Sequence, residues 1–148
     1  MRVAALCAAL IGCAYSPGSL HTRAGETVQT GCIDLAIERR PDLPGQSVLA
    51  YTFGNRCDHP AVVDLARVAA VGRTVDGREV NLAAFDPHHE LRAVELDGRA
   101  SGNEAIAYPS TIPLAEVCVD AAAIAHESPA RWVCFARNAH ELASKEMP

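Results

Sequence analysis

In the segment IDLAIE, residues 33–38, a large aliphatic side chain stands at every second position. A period of two is the pattern of a half-buried β-strand, because successive side chains of a strand point to opposite faces of its sheet. The alternation returns in LAYTF, residues 49–53, after a break at Pro41–Gly45. The two segments therefore predict two strands separated by a turn.

Runs of this kind continue along the chain with turn signals between them. The β-rich runs cover residues 61–71, 71–75, 79–82, 91–96, 105–108, 117–119 and 133–135. The turn signals are GNRCDHP at 54–60, Asp76-Gly77, Asp97-Gly98 and Ser101–Asn103. Asp-Gly in particular favours the tight turn of a hairpin. Seven or eight short strands with this punctuation predict an all-β fold, an antiparallel β-sandwich over residues 31–137.

The first residues have the features of a bacterial export signal. One basic residue, Arg2, precedes the apolar run Val3–Ile11, which is too short to span a bilayer but suits the apolar core of a signal peptide. The run ends in LIGC, residues 10–13, which resembles the lipobox of bacterial lipoproteins. The resemblance implies a signal peptide of residues 1–12, cleavage after Gly12 and a diacylglycerol group on Cys13.

The same resemblance implies an address in the cell envelope. Ala14 stands where Asp often signals retention in the inner membrane, so the outer membrane is the expected destination. Each buried methylene contributes about 0.8 kcal/mol, so two or three acyl chains would hold the domain permanently. We interpret residues 13–30 as a flexible tether and residues 138–148 as a C-terminal tail. An ordinary cleaved signal peptide, with Cys13 incidental, is the alternative.

Four cysteines remain once Cys7 and Cys13 are assigned to the leader: Cys32, Cys57, Cys118 and Cys134. An even number of cysteines in an exported domain indicates disulfides, and three pairings are possible. We predict Cys32–Cys57 and Cys118–Cys134, because each pair flanks one supersecondary unit. A zinc site is the competing interpretation, but the chain has no C-x2-C pair, which zinc knuckles and redox sites both use.

The second pair of cysteines predicts a specific hairpin. Residues 117–119 and 133–135 alternate around Cys118 and Cys134, which should face each other across the strands, while AAAIA at 121–125 can form one helical turn. Alternation puts Trp132 on the face opposite Val133 and Phe135. Trp132 is then either an exposed anchor for a partner or a ring packed under a loop.

A second resemblance concerns the architecture. The segments YTFGNRC at 51–57 and PAVVDL at 60–65 resemble the strand–turn–strand of bacterial immunoglobulin-like and fibronectin-like modules. The resemblance implies an immunoglobulin-like sandwich. The chain departs from the antibody-type order, in which Trp lies between two cysteines of facing sheets, because Trp132 lies within the predicted hairpin.

Charge and composition argue against several classes of ligand. The formal net charge is −5, and an acidic domain repels the phosphates of nucleic acids. The densest group of possible metal ligands is DPHHE, residues 86–90. Asp-Pro initiates turns and neighbouring side chains of extended chain diverge, so His88 and His89 do not converge into a site of three or four ligands. We predict no metal and no cofactor.

The chain also lacks the motifs of common catalytic sites. It has no G-x-S-x-G, S-x-x-K, H-E-x-x-H or phosphate-binding loop. We therefore expect a non-catalytic binding or assembly module, anchored by lipid and docking an envelope protein through an edge strand or end loops. Two alternatives are a small envelope hydrolase or metal-binding protein that uses His88 and His89, and a structural surface lipoprotein.

Overall fold

The computed structural model describes residues 14–86 and 90–137. The signal segment with Cys13, the pair His88 and His89, and the tail 138–148 lie outside the described residues. Within them, ten strands and one short helix follow one another. In chain order they are β1 (Glu26–Thr30), β2 (Ile33–Arg39), β3 (Gln46–Asn55), β4 (Ala61–Val63), β5 (Ala70–Arg73), β6 (Glu79–Leu82), β7 (Val94–Leu96), β8 (Ser101–Pro109), β9 (Glu116–Asp120), α1 (Ala121–Ile124) and β10 (Trp132–Ala136).

Two four-stranded sheets form the body of the domain. The first has the strand order β1-β2-β3-β8 and the second β10-β9-β5-β6, while β4 and β7 pair separately. Every described pair of strands is antiparallel, and side chains of both sheets share one hydrophobic cluster. The prediction of an all-β antiparallel sandwich is confirmed.

The strand count exceeds the predicted seven or eight, and local contacts explain the difference. The run 61–71 is divided by a turn in which the Asp64 carboxylate accepts a hydrogen bond from the Arg67 amide at 3.2 Å. The segment Ser101–Asn103, expected to be a turn, instead opens β8 by pairing with residues 52–54 of β3. A polar segment becomes a strand where a neighbouring strand supplies hydrogen bonds, because β-propensity depends on context.

The N-terminal part of the domain is more ordered than its composition indicates. The strand β1 pairs along its whole length with β2, through a turn in which Gly31 has φ +54°, a conformation that favours glycine. Tyr15 is 7% exposed and donates a hydrogen bond to Asp34. The flexible tether predicted for residues 13–30 is therefore corrected: β1 and Tyr15 belong to the folded domain, because a strand ladder and a buried ring hold them.

The core follows the predicted alternation. Ile33, Leu35 and Ile37 of β2 are at most 1% exposed, and Leu49 and Tyr51 of β3 are fully buried. They pack against inward side chains of β9 and β10. Burying one large aliphatic side chain contributes about 1.5–3 kcal/mol. The register of the strands is thereby fixed, because a slip by one residue would turn this whole set outward.

One side of the sandwich is closed and the other is open. Phe85 and Ala107 exchange two backbone hydrogen bonds of 2.8 and 2.9 Å, which join the chain after β6 to β8. On the opposite side β1 ends the first sheet and β10 ends the second. No ladder in the described part of the chain connects these two edges.

Arg39 spans the open side between the sheets. Its side chain is 3% exposed and makes six hydrogen bonds. Two go to the Asp42 carboxylate, at 2.9 and 3.2 Å. Three go to backbone carbonyl groups, those of Leu114, Ala115 and Phe135. A single guanidinium therefore links β2 to the second sheet.

All three tyrosines of the chain are buried, which predicts a distinctive alkaline transition. Burial raises the pKa of Tyr15 and of Tyr108 to about 12, and burial raises the pKa of Tyr51, whose hydroxyl lies 2.5 Å from that of Tyr108. Stability that depends on the neutral phenols is fully present below pH 10, the ordinary pKa, and is lost as the pH rises through about 12. We expect no phenolate absorbance near pH 10, followed by its abrupt appearance together with loss of near-ultraviolet circular dichroism.

The urea-unfolded protein provides the control for this titration. It should titrate with a midpoint near the ordinary tyrosine pKa of about 10. Independent titration of the tyrosines near that pH in the folded protein would contradict the buried arrangement.

Candidate functional site

The open edge of β10 is the candidate site, and its hydrogen-bonding pattern follows from the register. Beyond its two ends, the Ala121 amide donates to the Arg131 carbonyl at 2.8 Å, and the Arg137 amide donates to the Ala115 carbonyl at 2.8 Å. Hydrogen-bonded pairs alternate along an antiparallel ladder. Between residues 131 and 137, the residues of β10 that bond to β9 are therefore 133 and 135. The backbone groups of Trp132, Cys134 and Ala136 consequently point away from β9, along the edge.

Within residues 14–86 and 90–137, this edge has none of the usual protection against pairing. Edge strands are commonly blocked by charged residues or proline, and β10, with the sequence WVCFA, contains neither. Trp132 is 49% exposed, and Cys134 and Ala136 are also exposed. Of the two placements left open for Trp132, the structure shows the exposed one. Its predicted orientation opposite the buried Phe135 is confirmed.

Several contacts hold β10 in place as a preformed edge. The predicted hairpin is confirmed, with Cys118 opposite Cys134 and their Cα atoms 4.0 Å apart in a disulfide. The Asp120 carboxylate accepts from the Arg131 amide at 2.8 Å and also caps α1. The Arg131 guanidinium donates to the Gln29 carbonyl of β1 at 3.3 Å. The edge is therefore held on its inner side, and no described strand pairs with its outer side.

Shallow grooves flank the edge where the sandwich is open. One, of about 260 Å³, lies between residues 24–26 and residues 134–137, with Arg39 in its wall. Another, of about 330 Å³, is lined by Tyr15, Asp34 and Arg131 together with β1. Both grooves follow the same side of the domain as β10. They provide room beside the edge for side chains of an added strand.

The second predicted disulfide, Cys32–Cys57, is also present. It lies beside His59, while Glu116 lies beside the other bridge, so two groups of possible metal ligands occur among the described residues. In both groups the sulfur atoms are joined to each other, and zinc requires thiolates. The disulfides therefore account for these cysteines and indicate an oxidising, extracytoplasmic compartment.

The structure also reveals a histidine–carboxylate pair that the sequence did not suggest. His126 Nε2 lies 2.7 Å from the Asp64 carboxylate, which is 2% exposed. His126 has φ +55° at the end of α1, where its amide and that of Glu127 donate to Ala123 and Ala122. That pattern is a Schellman motif, whose left-handed position glycine usually fills. The described hydrogen bonds join the ring to Asp64 and to no serine or cysteine, so the pair ties α1 to the loop after β4.

Comparison with known proteins supports the fold and adds no activity. No protein-family model and no curated protein matches the chain. The fold is similar to that of the yjhA protein from Bacillus subtilis, known from a crystal structure, with 10% sequence identity and a TM-score of 0.51. The match covers 78% of this chain and 98% of that one. At this identity the likeness concerns the fold alone, and a fold of this kind hosts many functions.

The described residues contain no helix long and apolar enough to cross a membrane. The proposed lipid attachment residue, Cys13, and the histidines of the predicted turn, His88 and His89, lie outside those residues. Among the described residues, the candidate site is the β10 edge with Trp132.

Proposed function

We propose that this chain is a non-catalytic binding module of the bacterial cell envelope, anchored by lipid on Cys13, that captures an extended segment of a partner protein along β10. The observation that carries the proposal is the uncharged, solvent-exposed edge of β10 with Trp132 beside it. A partner strand added there gains backbone hydrogen bonds for affinity and side-chain contacts for specificity.

The residues around the edge specify the chemistry of the partner. Trp132 offers an aromatic surface for an apolar side chain, and exposed tryptophans are frequent anchors in interfaces. Arg131 and Arg137 flank the strand at its two ends. Arg137 pairs with Asp42 at 3.7 Å and its side chain is only 14% exposed, so Arg131 is the cation that faces a partner. A matching partner is therefore a short extended segment with an apolar centre and an acidic residue beside Arg131.

Export and anchoring have separate support. The segment LIGC at residues 10–13 resembles a lipobox, and two disulfides are typical of a domain that folds outside the cytoplasm. Attachment of two or three acyl chains would keep the module permanently at a membrane surface. The outer membrane is the proposed location, because Ala14 follows Cys13.

Ala136→Pro tests strand addition without disturbing the existing sheet. Proline has no amide hydrogen, and the amide of residue 136 points outward, so the substitution removes an edge donor while leaving the β9 ladder intact. We expect photo-crosslinking in native envelopes, from a photoreactive residue at the exposed Ala130, which leaves Trp132 in place, to lose its protein product in this variant. Ala136→Thr, which keeps the amide, should retain the product.

Hydrogen exchange on the captured complex distinguishes backbone pairing from other docking. The amides of residues 132, 134 and 136 should become protected on binding, while exchange at the exposed Val75 on the β5–β6 hairpin should stay unchanged. Trp132→Ala should weaken capture several-fold and lower the melting temperature only slightly, because half of the side chain is already in water. Equal capture by Ala136→Pro and Ala136→Thr would overturn the proposed use of the edge.

A further inference from the structure

The chain before β1 is fixed to the domain at Tyr15. The Tyr15 hydroxyl donates to Asp34 at 2.5 Å, and its amide donates to the Arg99 carbonyl at 2.6 Å. The ring packs so closely on β3 that residue 54 has no room for a Cβ atom, which its glycine lacks. Residue 15 is thus held by three different strands or turns of the first sheet.

This attachment leaves almost no chain between the domain and the proposed anchor. Only Ala14 separates Tyr15 from Cys13, and two residues span at most about 7 Å. The tether of residues 13–30 expected from composition would instead have had a root-mean-square length of about 23 Å. An acyl group on Cys13 therefore brings the bilayer surface to the end of the sandwich that carries Tyr15.

We propose that acylated Cys13 docks this end of the domain directly on phospholipid headgroups, in one fixed orientation. The inference rests on the lipid anchor of the proposed function. Two arginines lie at the docked end, where Arg56 pairs with Asp34 at 2.7 Å and Arg99 pairs with the exposed Asp58 at 2.9 Å. Each arginine is balanced by its carboxylate, so the short connection to the anchor, and not charge, sets the orientation.

The opposite end of the sandwich faces away from the bilayer in this orientation. The β5–β6 hairpin lies there, because the Ala115 amide donates to the Arg73 carbonyl at 2.8 Å and the Ala115 carbonyl accepts from Arg39 at 3.3 Å. Asp34 and Arg39 are five positions apart on β2, a distance of about 17 Å. Val75 at the tip of this hairpin is therefore an exposed position at the end of the domain opposite to Asp58.

The experiment uses the full-length acylated protein in vesicles of phosphatidylethanolamine and phosphatidylglycerol. A photo-crosslinking amino acid replaces either Asp58, whose side chain is 87% exposed, or Val75, which is 86% exposed. We expect several-fold more lipid adduct from position 58 than from position 75. Inserting a Gly-Ser spacer of about 12 residues after Cys13, with a root-mean-square length of about 20 Å, should abolish the difference and leave the melting temperature unchanged.

The intact mass of the mature protein distinguishes the lipid anchor from the docked orientation. Loss of residues 1–12 with added lipid mass, together with the adduct bias and its loss in the spacer variant, supports the docked orientation. Added lipid with equal adducts at both positions overturns the orientation and leaves the anchor standing. A mature protein without lipid mass overturns the anchor and the orientation together, while capture along β10 is decided by the Ala136 variants.

Discussion

Replacing Arg39 by Met is expected to lower the free energy of unfolding by about 3–5 kcal/mol, as when one partner of a buried ion pair is removed. Met fills a similar volume but donates no hydrogen bond. The carbonyl groups of Leu114, Ala115 and Phe135 would each lose a donor, and Asp42 would lose two hydrogen bonds. Denaturant unfolding of the variant and the wild type measures the difference.

The neighbouring arginine supplies a matched control for this prediction. Arg40 is exposed, so Arg40→Met removes the same charge one residue away and should change stability by less than about 0.5 kcal/mol. The stability of Arg39→Lys should lie between those of the two Met variants, because one ammonium group cannot reach the Asp42 carboxylate and all three carbonyl groups at the same time. Equal stability of Arg39→Met and Arg40→Met would contradict the role of Arg39 in joining the sheets.

The local patterns of the sequence predicted those parts of the fold that depend on periodicity. The alternation in IDLAIE placed the core face of β2, and the spacing around Cys118 and Cys134 predicted both the hairpin and its register, which are confirmed. Asp76-Gly77 marked the turn between β5 and β6, where Gly77 has φ +83°. These features are local, because each is determined by residues that are near in sequence.

Contacts between residues far apart in the sequence could not be predicted from local patterns. In the sequence Arg39 is indistinguishable from a surface arginine, and only the fold brings to it the carbonyl groups of residues 75 and 96 positions away. The Asp64–His126 pair joins residues 62 positions apart. Tyr15 lies in a segment whose proline and glycines indicate a linker, and only the neighbouring Asp34 and Gly54 explain its burial. A candidate edge was predicted in general, but its identity as β10 required the strand order.

We expect the two disulfides to contribute about equally to the free energy of unfolding and to differ in the local structure that each one stabilises. The Cys32–Cys57 and Cys118–Cys134 bridges span 25 and 16 residues, and the chain-entropy model gives about 3–3.5 kcal/mol for closing loops of this size. We expect each double Cys→Ala variant to lose about that much stability in denaturant unfolding. A loss confined to one of the two variants would show that the bridges are not comparable constraints.

Locally, removal of Cys118–Cys134 should release β10, because β9 is the one described strand that pairs with β10 and the bridge is the covalent attachment between them. The amides of Val133 and Phe135, which bond to β9, should exchange faster than the global loss of stability explains, since local opening adds to global unfolding. In Cys32→Ala/Cys57→Ala the same amides should follow global unfolding only. Partner capture should fall in the first variant and persist in the second, because an added strand requires an ordered edge. If both variants captured the partner equally while Val133 and Phe135 exchanged freely in the first, the partner would bind elsewhere on the domain.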